Sequence, residues 1–254
     1  MPAHVSEAIV LRTYPLKEAD LVVSFLTRDQ GKLRGVAKRA RRTKSVFGAG
    51  LERLSQVRMS YFQRETRELV SLDSCDLVIS QFRLLSNYRA GVALDYFAEI
   101  AEHLLPPNEP NERFFRLLMT VLEHIRGEEA TESGVWRAAT YFTLWAVRLS
   151  GFLPELDACL GCGAVLDSSE RAFFLRGRLG LLCSDCRKTA GAGAWELSAE
   201  SRAAAGEMLR KPVAQIAPPE WTRGTCADLR HFLVQQIEQH IERRLLTPGV
   251  LEAE

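Results

Sequence analysis

Two cysteine pairs, Cys159-Leu160-Gly161-Cys162 and Cys183-Ser184-Asp185-Cys186, are the residues of this chain best spaced for chemistry. Two residues between cysteines let both thiolates of a pair turn toward one point. A second pair, brought back by a hairpin, completes a tetrahedron around a soft divalent ion. Arg171–Leu175 and Leu179–Leu182 flank Gly177 and predict that hairpin, and Gly163 eases the turn after the first pair. This is zinc-ribbon geometry. It predicts one structural Zn2+ per chain on Cys159, Cys162, Cys183 and Cys186, with iron as the rival that a four-thiolate site leaves open. Four thiolates leave no position for a water, so such a site holds structure and does no chemistry. Cys75 and Cys226 stand alone and read as packed thiols.

Catalytic alternatives find little footing. His240-Ile241-Glu242 spells the H-x-E of zinc deaminases, but it follows both cysteine pairs, and Asp157-Ala158 stands where a proline would precede Cys159. It also lies on an amphipathic helical stretch. No phosphate-binding glycine loop, nucleophile elbow or H-E-x-x-H is present. The reading is of a protein that is not an enzyme.

A second cluster is ionic. The net charge of +1 hides a split: residues 1–80 carry 14 Lys and Arg against 9 Asp and Glu, and the remainder is net acidic. Lys32, Arg34, Lys38, Arg39, Arg41, Arg42 and Lys44 place seven cations within thirteen positions with no acid among them. Such a concentration neutralises phosphates and gives salt-sensitive, sequence-tolerant binding to nucleic acid. Phe47, Tyr61 and Phe62 are nearby aromatics that could stack on bases, although Tyr61 alternates with core positions. The amino-terminal segment lacks an apolar secretory core. The most apolar stretch, Val135 to Leu153, is interrupted by Arg137 and Arg148, well short of the ~20 apolar residues of a span. A cytoplasmic protein without a membrane segment is the expectation, and there paired cysteines read as metal ligands.

The elements that must position these residues change character along the chain. Ala8–Arg12, Leu21–Thr27, Leu33–Ala37, Val57–Tyr61 and Leu69–Leu72 read as five short strands, with Asp29-Gln30-Gly31 as a tight turn. Five strands in fewer than 80 residues fit a small barrel. An OB-fold is the natural candidate, and an SH3-like barrel fits the pattern nearly as well. From about Ser80 the period is helical: Leu85, Tyr88, Val92, Tyr96, Ile100 and Leu104 form one stripe, ended by Pro106-Pro107. Further helices are expected at 111–126, 136–149, 198–210 and 226–246. The helix at 136–149 is apolar nearly all round, and the last carries the row Leu229, Leu233, Ile237, Ile241, Leu245. Pro212, Pro218 and Pro219 mark the loop between the final two. The fold class is α+β. It comprises a five-stranded OB-fold barrel over 1–78 and an α-helical domain over 79–254, which contains the four-cysteine zinc-ribbon-like segment at 157–190.

Glu18-Ala19-Asp20, Leu26-Thr27, Gly31-Lys32, Val36-Ala37-Lys38, Arg41-Arg42, Lys44-Ser45 and Leu51-Glu52 together resemble the amino-terminal domain of the bacterial recombination mediator family RecO. The order of barrel, helices, cysteine segment and closing helices extends the resemblance over essentially the whole chain. It implies binding of single- and double-stranded DNA, annealing of complementary strands, and help in loading RecA onto DNA coated by single-strand-binding protein. It implies RecR and the C-terminal tail of single-strand-binding protein as partners, RecA indirectly, and a nucleoid-associated location. Carried over by position, the family's DNA contacts fall on Lys32, Lys38, Arg39, Arg41, Arg42 and Lys44. Glu52-Arg53-Leu54 departs from an acidic-proline pair common in the family. A zinc-ribbon RNA-binding or regulatory module is the alternative from another class.

Overall fold

The first strand sets the geometry of the amino-terminal unit. In the computed structural model, which describes residues 3–63, 68–128, 130–217 and 220–253, β1 runs over Ala3–Leu16 and pairs with two neighbours. Its first half, Ala3 to Ile9, lies antiparallel to β4 (Gln56–Phe62), and its second half, from Ala8 on, lies antiparallel to β2 (Asp20–Thr27). β2 continues through the Asp29–Gly31 turn into β3 (Gly31–Ala37). Gly31 takes a φ of +75°, and a Cβ there would collide with the Glu109 backbone, so the turn requires glycine. β5 (Val70–Ile79) is antiparallel to β4 and closes the barrel by three parallel pairs, Gly35–Val70 to Ala37–Leu72. The order β1-β2-β3-β5-β4 in a closed barrel is OB-fold connectivity.

The interior is filled by Ala8, Val10, Val23, Phe25, Leu33, Ala37, Val57, Met59, Tyr61, Val70, Leu72 and Cys75, with Phe47 reaching in from the segment after β3. Glycine at position 50 lets that segment lie against the Cys75 thiol, 2.6 Å from where a Cβ would stand. Val10 pairs with Phe25 but Arg12 pairs with Ser24, so Leu11 is an extra residue, a β-bulge in β1.

The helical stripe expected from Leu85 is two helices. α1 (Phe82–Leu85) is one turn, and Asn87 then starts α2 (Tyr88–Leu104) by accepting a hydrogen bond from the Ala90 amide at 3.0 Å. An asparagine cap fixes its own backbone outside the helix, which is why the stripe is interrupted. α3 (Glu112–Gly127) is capped by Asn111. The chain divides into two compact units within this helix, Met1–Met119 and Thr120–Glu254.

In the second unit, α4 (Glu132–Leu149) is buried along nearly its whole length, as its all-round apolar sequence predicts. β6 (Ala172–Phe174) and β7 (Trp195–Leu197) pair antiparallel, with α5 (Ser184–Thr189) between them; α6 (Ala199–Met208) follows. α7 (Ala227–His240) is shorter than the expected 226–246. Glu242 adopts a left-handed φ of 54°, and the Arg243 amide donates back to the Glu238 carbonyl at 3.2 Å. That is a Schellman-type stop. The apolar row running past it, through Ile241 to Leu245, leaves the helix before α8 (Thr247–Glu252). Arg230 of α7 joins three elements: it stacks over Trp136 at 4.6 Å, donates to Thr140 Oγ1 at 3.0 Å, and pairs with Glu252 at 2.7 Å. The loop markers Pro218 and Pro219 lie outside the described residues. No helix among the described residues is long and apolar enough to cross a membrane.

Phe47 is 3 % exposed and anchors an otherwise exposed segment, whereas its neighbour Val46 is 69 % exposed. Phe47→Ala is expected to lower barrel stability by about 3–5 kcal/mol. Val46→Ala is expected to stay within about 0.5 kcal/mol. Urea unfolding followed by circular dichroism checks both.

Candidate nucleic-acid interface and metal centre

The segment that leaves β3 is built against the β1–β2 turn. The Arg39 amide donates to Asp20 Oδ1 at 2.8 Å, the Arg41 amide to the Ala19 carbonyl at 3.0 Å, and the Arg41 guanidinium to the Glu18 carbonyl at 3.3 Å. Arg39 sits at φ 57°, the left-handed region in which a tight turn is made. Successive turns then follow, with Arg42 bonded back to Arg39, Ser45 to Arg42 and Gly48 to Ser45, until Phe47 enters the core. Lys38, Arg39, Arg41, Arg42 and Lys44 are all exposed along this run. Five cations are thus held on a stretch of fixed backbone beside one turn of the barrel.

The other two predicted cations, Lys32 and Arg34, lie on β3 and face α2. Glu102, only 4 % exposed, accepts from Ser24 Oγ at 2.5 Å and from the Arg34 guanidinium at 2.6 Å. The Lys32 ammonium donates to the Glu102 backbone carbonyl. Burial lowers the Lys32 pKa, Glu102 counters it, and Arg34 lowers it further. Arg34 keeps half of its side chain open; the carboxylate raises its already high pKa against the opposing effect of burial. These two residues therefore fasten the barrel to α2, while the 38–44 run stands clear.

Of the aromatics considered from sequence, Phe47 and Tyr61 are buried in the barrel, and Phe62 is half-buried at the end of β4. Burial raises the Tyr61 pKa, its hydroxyl meets Ser6 Oγ at 3.4 Å, and its ring stacks on His4. A different aromatic lies among the cations. The ring centroid of Tyr14 is 5.4 Å from the Arg12 guanidinium carbon and 6.0 Å from that of Arg34. Strict alternation along β1 puts Tyr14 with Val10 inside the barrel. Only the bulge at Leu11 reverses that, and nothing in the residue pattern marks it.

In the second unit the four cysteine sulfurs converge, all within 4.8 Å of one another. Among the described residues this is the one cluster of at least three Cys, His, Asp or Glu able to hold a metal. The first pair sits on a closed turn: the Gly163 amide donates to the Cys159 carbonyl at 2.8 Å, with Gly163 at φ 73°. Gly161 is equally constrained, since a Cβ there would stand 3.0 Å from Cys186 Sγ. The expected hairpin is a single rung, in which Phe173 and Leu182 exchange both backbone hydrogen bonds. It is short because the chain turns at once into α5. Cys183 is the cap of that helix, its sulfur accepting from the Cys186 amide at 3.4 Å. The helical start of the second pair was not foreseen from sequence.

The donor set fits a cation. Burial raises the Cys159 pKa, but amide hydrogen bonds from Cys183, Cys162 and Gly161 outweigh it and bring the thiol down to about 6. Cys186 is pushed up to about 12, chiefly by its contacts with the other three sulfurs. Four thiols packed this closely do not all ionise unless positive charge stands among them. His240 takes no part; it stacks on Phe152 at 4.1 Å. The segment is clamped by Arg202 of α6, which is buried and donates to the carbonyls of Leu156, Leu166, Asp167 and Glu170 and to the Asp157 carboxylate.

An OB-fold barrel with a pinned basic segment, followed by helices built around a closed cysteine cluster, defines the class of this protein. Residues 1–81 match the family model Recombination protein O N terminal, and residues 85–247 match Recombination protein O C terminal. The chain is similar to a DNA repair protein RecO of Koribacter versatilis, 46% identical over 247 residues, covering 97% of each chain. It is 30% identical to DNA repair proteins RecO of an Anaeromyxobacter species (96% of this chain, 93% of the relative) and of a Nocardioides species (97% and 98%). The chain belongs to the RecO family.

Removing one sulfur should break the cluster's metal affinity. Titration of metal-free protein with Co2+ is expected to give one thiolate-to-metal charge-transfer transition saturating at one equivalent. In Cys159→Ser that band should weaken and affinity fall beyond the roughly 10- to 100-fold cost of losing an outer-shell partner.

Proposed function

We propose that this protein is a recombination mediator that binds single- and double-stranded DNA on the basic surface of its barrel and anneals complementary strands. With RecR it helps RecA to load onto DNA coated by single-strand-binding protein, whose C-terminal tail it contacts. The observation that carries the reading is the run Lys38, Arg39, Arg41, Arg42 and Lys44, exposed together and pinned to the β1–β2 turn. Lys32 and Arg34 contribute behind it by holding β3 against α2.

Annealing needs no catalytic residue, and the protein acts without one. Two phosphate backbones repel each other. A surface that neutralises one strand lowers that repulsion while the base edges remain free to pair. Contacts to phosphate rather than to base edges suit a task that must succeed on any sequence. Because the run is held by backbone hydrogen bonds at one end and by Phe47 at the other, little of it must be ordered on binding. The four cysteines hold one structural Zn2+, which ties the 157–190 segment together and takes no part in the DNA reaction. The protein works in the cytoplasm, at the nucleoid.

Alanine at Arg41, Arg42 and Lys44 together is expected to weaken binding to the same degree across unrelated sequences. The slope of log K against log salt should fall by about two to three for the three lost phosphate contacts. Annealing of complementary oligonucleotides, bare and coated with single-strand-binding protein, should slow in parallel. An unchanged slope with unchanged annealing would remove the basic run from the interface. RNA binding without annealing of DNA would favour a zinc-ribbon regulatory module.

A further inference from the structure

Across the outer face of β1, β2 and β3 the pairing register lines up two rows. Arg12, Ser24 and Arg34 form one; Tyr14, Val22 and Val36 form the next. Their inward neighbours Val23 and Phe25 belong to the barrel core, and none of these six does. Lys38 follows β3 on the far side of the Tyr14 row. Tyr14, Val22 and Val36 are all half-buried, so they make an apolar floor that is still open to solvent.

The charges around that floor are arranged unevenly. Arg34 is fixed by Glu102 at 2.6 Å, with its guanidinium over the ring at 6.0 Å from the centroid. Arg12, over the ring at 5.4 Å, makes no ion pair among the described residues. Four residues along the chain from Tyr14 is Glu18, whose carbonyl, with those of Ala19 and the Asp20 side chain, holds the basic run. The Tyr14 ring therefore lies under two guanidiniums at the edge of a track of five exposed cations, and Arg12, which no ion pair holds, is the one that a stacking base displaces.

We propose that Tyr14, floored by Val22 and Val36 and flanked by Arg12 and Arg34, is a stacking platform for an unpaired nucleobase and gives the barrel its grip on single-stranded DNA. The inference rests on the basic run being the DNA track. The chemistry of the ligand follows from the surroundings. The ring offers a π-face once Arg12 moves from it to a phosphate of the bound strand, Arg34 stays on Glu102, and the cation track continues along the backbone. In a duplex both faces of a base are already covered by its neighbours, so the ring engages only a strand with exposed bases. The loop cations bind either form; Tyr14 distinguishes them. Because every base has a π-face, this selectivity is for strand state and not for sequence.

Full-length protein is titrated by fluorescence anisotropy against a single-stranded oligonucleotide and its duplex. Tyr14→Ala is expected to weaken single-strand binding by about 5- to 150-fold, the range for losing one base-stacking contact. Duplex affinity and the salt slope should be unchanged, and Tyr14→Phe should behave as the parent. With 2-aminopurine in the strand, parent and Tyr14→Phe quench its fluorescence on binding, and Tyr14→Leu, which keeps apolar bulk over the floor, does not. If Tyr14→Ala fails to fold, Tyr14→Leu and the quenching decide. Parental single-strand affinity and quenching in the leucine variant, or an equal loss for both DNA forms, would overturn the proposal. Loss of binding in the triple loop variant alongside such a result leaves the basic track standing without the platform. No effect from either variant removes both.

Discussion

One strand serving two neighbours is the constraint from which the barrel and its surface follow. β1 gives its first half to β4 and its second half to β2, and a flat strand cannot bend far enough to do both. The extra residue at Leu11 supplies the bend and twist. It also reverses the parity of everything after it. Before the bulge, Ala8 and Val10 point into the core; after it, Arg12 and Tyr14 point out. The same device that closes the barrel therefore puts a cation and an aromatic on its outer face.

The cations of the first unit divide by what they face. Arg34 meets the carboxylate of Glu102, which is held almost without solvent and also accepts from Ser24, and Lys32 donates to the backbone carbonyl of the same residue. Removing that acid would leave a lysine and an arginine close together with their compensation gone, so the pair is a structural commitment. Of the loop cations, Arg41 meets a backbone carbonyl, and none of the five makes an ion pair among the described residues. Positive charge with a buried acidic partner fastens the fold, and positive charge without one remains for an outside anion. Count and spacing alone give no way to separate the two sets, since the acid that claims Lys32 and Arg34 is about seventy residues away in sequence.

That distance explains much of what was legible and what was not. Short β-branched or apolar runs, and alternation in β4, located all five strands, although β1 and β5 run well beyond the expected ranges, and the largely apolar sequence of α4 announced a buried helix. The cysteine spacing predicted a cluster that the structure brings together. Misreadings arose where a single backbone conformation overrides a pattern. Asn87 caps α2 and splits the Leu85 stripe; Glu242 turns left-handed and stops α7 while the apolar row runs on. Phe47, a candidate for stacking by its place after a basic run, is the buried anchor of that run. Tyr14 drew no notice, because a bulge leaves no trace in residue types.

Arg202 carries a consequence for biosynthesis. Its five acceptors all lie within 156–170, yet the arginine itself comes sixteen positions after Cys186. A chain emerging from the ribosome displays all four thiols while their clamp, sixteen residues behind, is still inside the exit tunnel. During that interval the segment has only its own turn at Gly163 and the Phe173–Leu182 rung to bring the sulfurs together. The four sulfurs can therefore meet before α6 docks, and the clamp closes over a turn and hairpin that are already in place.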